Sequence, residues 1–345
     1  NLRRFRLRTS YRVFEKEERF IFGVFQGVPR LMDLHVSRVP ELDLLGNSTV
    51  DIPWHQLGAL SLDYVPSIGT TLHILSKSQS IRECTFKIDA LFGPLLEEPL
   101  VHTSLHSLSI SIGYEHLSGF FERITLPALQ SLAIHVRGPL ERYNWPQDEF
   151  DAFLERSAPT QLKNLEVRDS GMQEEELIAV LRQPYLQELE RLAVDDRRDW
   201  TWDPFVKDLA FDMLNAASPC DEEHAASGVG VVEEGSPAAV DAPRNEDAVG
   251  EMEAIPAGNV NREYSQKKAC ALPKLVTLVL RGSCLDTTDG VIADMVESRF
   301  CSKRREQGVA QLKVVKLDIP SSHLVDLQRL KRMQADGLDL ELGFI

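Results

Sequence analysis

The sequence predicts an α/β fold, a curved stack of short units with a parallel β-sheet on its concave side and helices on its convex side. Three observations predict it. First, one aliphatic triplet recurs: an aliphatic residue, two others, a second aliphatic residue, one other, and a third. The clearest cases are Leu31/Leu34/Val36, Leu57/Leu60/Leu62, Ile81/Cys84/Phe86, Leu105/Leu108/Ile110 and Leu129/Leu132/Ile134. Second, a lone triplet is common by chance, but first members 31, 57, 81, 105 and 129 lie 26, 24, 24 and 24 residues apart. That spacing falls within the roughly 20 to 29 residues of leucine-rich repeats. Third, the stretches between triplets carry apolar residues at helical spacing. A unit with one apolar strand face and one apolar helix stripe cannot enclose both alone, so neighbours stack and bury them. The expected fold is therefore a leucine-rich-repeat-like solenoid, or horseshoe.

Taken in order, Leu2/Phe5/Leu7 form the first triplet, with no polar cap ahead of them. So abrupt a start leads us to expect missing sequence upstream. After the five regular triplets the steps lengthen through Leu162/Leu165/Val167, Leu189/Leu192/Val194, Leu275/Leu278/Leu280 and Leu312/Val315/Leu317. Helical stripes lie between them. Leu117, Phe120, Phe121 and Ile124 make one, and Phe150, Phe153 and Leu154, stopped by Pro159, make the next. Leu177, Val180 and Leu181 follow an acidic run that suits a helix N-terminus. Val206, Leu209, Ala210 and Met213 make a fourth stripe. Ile292, Met295 and Val296 follow the capping candidates Asp286 and Thr288, and Leu324, Leu327 and Leu330 precede Gly337. The Asn or Cys that follows each strand in regular leucine-rich repeats is missing here, so the turns must be held by other groups.

Strand alternation turns the triplet residues inward and their neighbours toward the concave side. The predicted binding face comprises Arg4, Arg6, Asp33, His35, Asp63, Glu83, Lys87, His135, Asn164, Glu166, Arg168, Arg191, Asp195, Arg281 and Lys316, with serines such as Ser107, Ser109 and Ser111 among them.

With 345 residues, 43% of them hydrophobic, the chain can bury a large core. A formal net charge of -15 opposes attraction to phosphate backbones or anionic lipid, so neither nucleic acid nor a membrane is an expected partner. About half of that charge falls between residues 216 and 268, where Ala, Gly, Pro, Ser and acids replace the pattern and Tyr264 is the sole aromatic. Such a segment cannot bury enough apolar surface to offset its ordering entropy. The expected organisation is a solenoid over residues 1–215, a disordered acidic insert over 216–268, and continuation of the same solenoid over 269–345. Five cysteines without a C-x-x-C pair indicate neither a disulfide framework nor a zinc site, and a cytoplasmic or nuclear location is expected.

No serine-hydrolase elbow, metalloprotease helix, phosphate loop or kinase signature occurs, so neither catalysis nor a cofactor is expected. His102 and His106 are four apart but run into a strand, where that spacing makes no ligand pair, and Cys84 holds a core position. The arginines at 3, 4, 6, 8 and 12 read as a solvated strand face, and Trp200 and Trp202 as packing over the next helix.

Several stretches resemble the C-terminal region of fungal F-box proteins, especially those of mushroom-forming basidiomycetes. They are Leu126-Pro-Ala-Leu-Gln-Ser-Leu-Ala-Ile, Trp145-Pro-Gln-Asp-Glu-Phe-Asp-Ala-Phe-Leu-Glu-Arg-Ser and Leu272-Pro-Lys-Leu-Val-Thr-Leu-Val-Leu-Arg-Gly, with Leu330-Lys-Arg-Met-Gln-Ala-Asp-Gly-Leu-Asp-Leu-Glu-Leu at the end. The resemblance implies a substrate-recognition arm of a cullin-RING (SCF-type) ubiquitin ligase, whose repeats hold the protein to be ubiquitinated. In that family an N-terminal F-box binds a Skp-type adaptor and, through it, the cullin. No segment before Leu31 has the Leu-Pro start and paired amphipathic helices of an F-box, so only the recognition half carries over. The alternative expectation is a leucine-rich-repeat scaffold or regulator unrelated to ubiquitin.

Overall fold

A computed structural model describes residues 3–8, 30–37, 52–88, 99–137, 145–159, 161–196, 206–215, 270–282, 285–300 and 308–344. The chain divides into two units, Asn1–Ala216 with Cys270–Ile345, and Ala217–Ala269. The acidic insert, Arg12, Trp200 and Trp202 lie outside the described residues.

The first unit is built on one parallel sheet. Its strands are β1 (Arg4–Arg8), β2 (Asp33–Ser37), β3 (Ala59–Val65), β4 (Glu83–Ile88), β6 (Ser107–Gly113), β8 (Ser131–Arg137), β9 (Asn164–Arg168), β10 (Arg191–Asp196), β11 (Thr277–Gly282), β12 (Val314–Ile319) and β13 (Asp339–Phe344). These eleven strands lie side by side in chain order. A second, two-stranded sheet pairs β5 (Leu100–Val101) with β7 (Ile124–Thr125). Among the described residues seven helices connect the strands: α1 (Ile68–Lys77), α2 (Tyr114–Glu122), α3 (Gln147–Ser157), α4 (Glu174–Arg182), α5 (Asp208–Leu214), α6 (Val291–Phe300) and α7 (Leu324–Ala335).

The triplets set the register. Leu34 pairs with Leu60, Leu60 with Cys84, Cys84 with Leu108 and Leu108 with Leu132, and the same row continues through Leu165, Leu192, Leu278 and Val315 to Leu340. A slip of one residue would turn these side chains to the polar face, so burial locks the pairing. First members Leu31, Leu57, Ile81, Leu105, Leu129, Leu162, Leu189, Leu275 and Leu312 are all fully buried. The helices share that apolar core, so they cover one face of the sheet. Between α2 and α3 an aromatic cluster fills the space: the Phe121 ring centre lies 6.0 Å from Trp145, 5.2 Å from Phe150 and 5.4 Å from Phe153.

Carboxylates at the helix starts replace the absent Asn ladder. Glu174, first in α4, accepts the amide of Ala210 in α5 at 3.3 Å. Asp208, first in α5, accepts the Thr288 amide and hydroxyl at 2.8 and 2.7 Å. Asp326 in α7 accepts the Ala293 amide of α6 at 2.7 Å, while Asp289 accepts the Val325 and Asp326 amides at 3.1 and 3.0 Å. Glu174, Asp289 and Asp326 thus satisfy orphan N–H groups of a neighbouring helix and oppose its dipole, while Asp208 holds the loop ahead of α6. These backbone hydrogen bonds hold the Asp289 carboxyl below its ordinary range.

A buried arginine closes the gap in the sequence pattern. Arg299 of α6 is 2% exposed and donates to the carbonyls of Leu214, Ala271 and Leu272 and to Cys270 Sγ. Leu214 ends α5 and Cys270 begins the next described segment, and the Ala271 amide also donates to the Met213 carbonyl at 3.0 Å. Both stems of the insert are therefore joined at one guanidinium.

Two elements lie outside the expected pattern, and two expected stripes are corrected. Helix α1 was not anticipated, because Thr70, Thr71 and Ser76 blur its stripe; Ser67 Oγ caps it by accepting the Thr70 amide at 3.1 Å. Strand β13 was missed because Gly337 stands where the triplet needs an aliphatic first member. The stripe Val206/Leu209/Ala210/Met213 is not the core face of α5: Ala210, Phe211 and Leu214 are buried, and Leu209 is exposed. Leu324 is also exposed, because α7 turns Leu330 and Met333 inward.

Candidate functional site

The sheet face opposite the helices is polar and open. Its side chains form three rows, each crossing the strands in register. The first runs Arg4, Asp33, Ala59, Glu83, Ser107, Ser131, Asn164, Arg191, Thr277, Val314, Asp339. The second runs Arg6, His35, Ser61, Thr85, Ser109, Ala133, Glu166, Ala193, Val279, Lys316, Glu341. The third holds Arg8 and Ser37, then Lys87, Ser111, His135, Arg168, Asp195 and Arg281, and closes with Asp318 and Gly343. Asp63 sits where the β3–β4 register shifts.

All fifteen predicted residues thus fall on strands of this sheet, and most are at least partly exposed. Asp195 is the correction: it is 8% exposed, and its neighbours on the same face, Ala193 and Val279, are 3% and 7% exposed. Burial there reflects the local packing of β10 and β11, which alternation alone does not report.

Charges on the face are matched across strands. Arg4 meets Asp33 at 2.8 Å. Glu166 takes Arg168 at 2.5 Å and Arg191 at 3.4 Å. Glu341 takes Arg281 at 2.5 Å and Lys316 at 2.7 Å, and these two cations hold its carboxyl below the ordinary range. Asp318 accepts the Gly282 amide at 2.8 Å and lies so close to position 343 that a Cβ there would sit 2.1 Å from its oxygen, so any larger residue would require the carboxylate to shift from that bond. Among the described residues Arg6, Arg8 and Lys87 make no ion pair.

Between the charged ends, β3 to β8 carry small side chains, and the surface dips. One depression of about 240 Å³ is lined by Arg4, Arg6, His35, Ser61, Glu83 and Thr85 among others. A second, of about 330 Å³, lies over Thr85, Lys87, Ser109, Ser111, Ala133, His135, Glu166 and Arg168. In it, His135 Nδ1 is 3.5 Å from Ser111 Oγ, and His135 Nε2 is 3.0 Å from Asp169 Oδ2. Asp169 is absent from the predicted set because it lies one residue beyond β9, outside the alternating pattern. Its φ of 49° is left-handed, a conformation that Asp and Asn tolerate and that turns the chain directly after the strand.

Other chemical groups are accounted for by structure. His102 is fully buried with Nε2 3.1 Å from the Ser78 carbonyl, and burial lowers its pKa. Burial pushes the Cys84 thiol well above its ordinary range, which keeps it an inert core residue. Asp289, His323 and Asp326 bring ligand atoms within 4.8 Å of one another, but the aspartates are occupied in capping α6 and α7, and Asp326 Oδ2 also faces His323 Nδ1 at 3.0 Å. Among the described residues no helix is long and apolar enough to cross a membrane. No protein-family model matches the chain, and no curated protein sequence matches it significantly.

Proposed function

We propose that this chain is a protein–protein interaction module, a leucine-rich-repeat-like solenoid that presents its open sheet face as a concave docking surface. In this reading it is the target-holding arm of an F-box subunit in a cullin-RING ubiquitin ligase. A Skp-type adaptor and the cullin are engaged through an F-box outside these residues, and the transfer chemistry is done elsewhere in the complex. The observation that carries the reading is the one-sided sheet. Eleven parallel strands give one face to the core and leave the other polar, with side chains fixed in rows and ion pairs such as Arg168–Glu166–Arg191 already in place. Preformed polar rows suit recognition of a folded or extended partner, because little side-chain freedom remains to be lost on binding. The wording shared with fungal F-box proteins supplies the ubiquitin context.

Affinity purification of the full-length protein with mass spectrometry tests this. Recovery of the Skp-type adaptor and the cullin together with a further protein is the expected result. Recovery of a further protein without either would favour a scaffold unrelated to ubiquitin. Loss of that protein on reversing Arg168 and Arg191 to Glu locates its docking on the sheet face.

A further inference from the structure

We propose that Ser111 is an activated nucleophile that accepts an acyl group from small, activated esters. Three features converge on it. Its hydroxyl, the His135 imidazole and the Asp169 carboxylate form a relay, 3.5 Å and then 3.0 Å, across β6, β8 and the turn after β9. With Nε2–H donating to Asp169, Nδ1 is left as the acceptor that faces the serine hydroxyl, the arrangement a general base requires. The backbone is bent to make this happen. Asp169 adopts a left-handed φ of 49°, and its amide is tied to the Asp195 carbonyl at 2.9 Å, so the carboxylate is held beside β8. The relay also opens onto the 330 Å³ depression, where Lys87, the ladder neighbour of Ser111, makes no ion pair among the described residues and is placed to face a developing oxyanion.

In the step itself, Ser111 Oγ bonds to the ester carbonyl carbon and its proton passes to His135 Nδ1. The C–O bond to the leaving alcohol then breaks, and the alcohol departs with that proton. Water, activated by His135, attacks the acyl-serine and releases the carboxylic acid. The same geometry limits the rate. β6 is hydrogen-bonded to a strand on each side, so the ladder takes up the backbone N–H groups around Ser111 that would otherwise form an oxyanion hole. Acylation is thus confined to good leaving groups, and deacylation is slow. The proposal stands apart from the docking reading, and neither needs the other.

The test treats the full chain with p-nitrophenyl acetate and, separately, with a fluorophosphonate probe, then maps adducts by peptide mass spectrometry. Expected are a burst of about one p-nitrophenolate per chain and an adduct on the Ser111 peptide. Ser111→Ala should abolish both. His135→Gln should slow labelling about 100-fold, the usual scale of a general base, with the circular dichroism spectrum unchanged. Asp169→Asn, which keeps a residue suited to left-handed backbone, should slow it about 10-fold or more. The proposal is overturned by no adduct on Ser111, by adducts spread over exposed serines, or by wild-type labelling rates in the folded His135 or Asp169 variant.

Discussion

Replacing Arg299 by methionine probes the joint between the two stems of the insert. The methionine keeps most of the apolar stem but removes a guanidinium that donates to the carbonyls of Leu214, Ala271 and Leu272 and to Cys270 Sγ. No carboxylate is paired with this charge among the described residues. Its compensation comes from carbonyls, including that of Leu214 at the end of α5, where the helix dipole favours a cation. A hydrogen bond to a charged group contributes roughly 1.5–3 kcal/mol, so three carbonyls supply roughly 4–9 kcal/mol before costs. Desolvating the guanidinium costs several kcal/mol, and Cys270 is half-buried, so its stem regains some water when the clamp is lost. The net loss on substitution is about 3 kcal/mol. For a domain of this size each kcal/mol moves Tm by roughly 2–4 °C, so Tm should fall by about 6–12 °C in a circular dichroism melt. Cys270 should also react faster with a maleimide as the stem opens. A Tm within about 2 °C of wild type, with unchanged thiol reactivity, would refute the clamp.

Four further outcomes follow from the same contacts. Reversing both Arg168 and Arg191 to Glu should weaken partner capture while costing no more than about 1 kcal/mol in urea unfolding, because both side chains are well exposed; an equal loss of fold and binding would count against a surface role. Phe121→Ala should cost about 3–5 kcal/mol by emptying the space between Trp145, Phe150 and Phe153, measured as a drop in the urea midpoint. His102 has its pKa lowered by burial, so below the unfolded value of 6.5 the unfolded chain takes the proton first. Stability should therefore fall as pH drops through 6.5, and His102→Leu should flatten that part of the profile. Deleting residues 216–268 and joining the stems with a short Gly-Ser linker should leave Tm nearly unchanged or raise stability by up to about 2 kcal/mol through the shorter loop; a large drop would show that the segment carries core contacts.

The strands were legible because their signal is redundant. Leu60 and Leu62 share a register with Cys84 and Phe86, and any one of these rows predicts the next. Helices were legible where a stripe was long and clean, as at Phe150, Phe153 and Leu154, and failed where β-branched and hydroxyl residues dilute it, as in α1. On the open face, alternation found the rows but not their depth: it could not tell that Ala193, Asp195 and Val279 are buried. The relay at Ser111 was out of reach for a different reason. Ser111 and His135 are 24 residues apart and Asp169 lies another strand away, so their meeting depends on the parallel register and on one left-handed residue. No local motif announces it. Likewise, the caps of α6 and α7 come from residues more than thirty positions away, which a search for nearby Ser, Thr or Asp does not reveal.

Those borrowed caps bear on how such a chain can change its length during evolution. Because Asp326 serves α6 and Asp289 serves α7, neither helix start is self-sufficient. A duplication or excision cut between them would strand one set of amides and one carboxylate on each side of the scar. Cuts falling within a strand-to-helix loop that leaves each acid with its amides would be tolerated more readily. The segment between α5 and β11 grows differently: Glu174 and Ala210 both lie upstream of it, while the contact of Asp208 with Thr288 spans it and closes across the extra residues that enter after Leu214. That contact is made in space rather than along the chain, so the joint can lengthen while Asp208 still holds the Thr288 amide and hydroxyl.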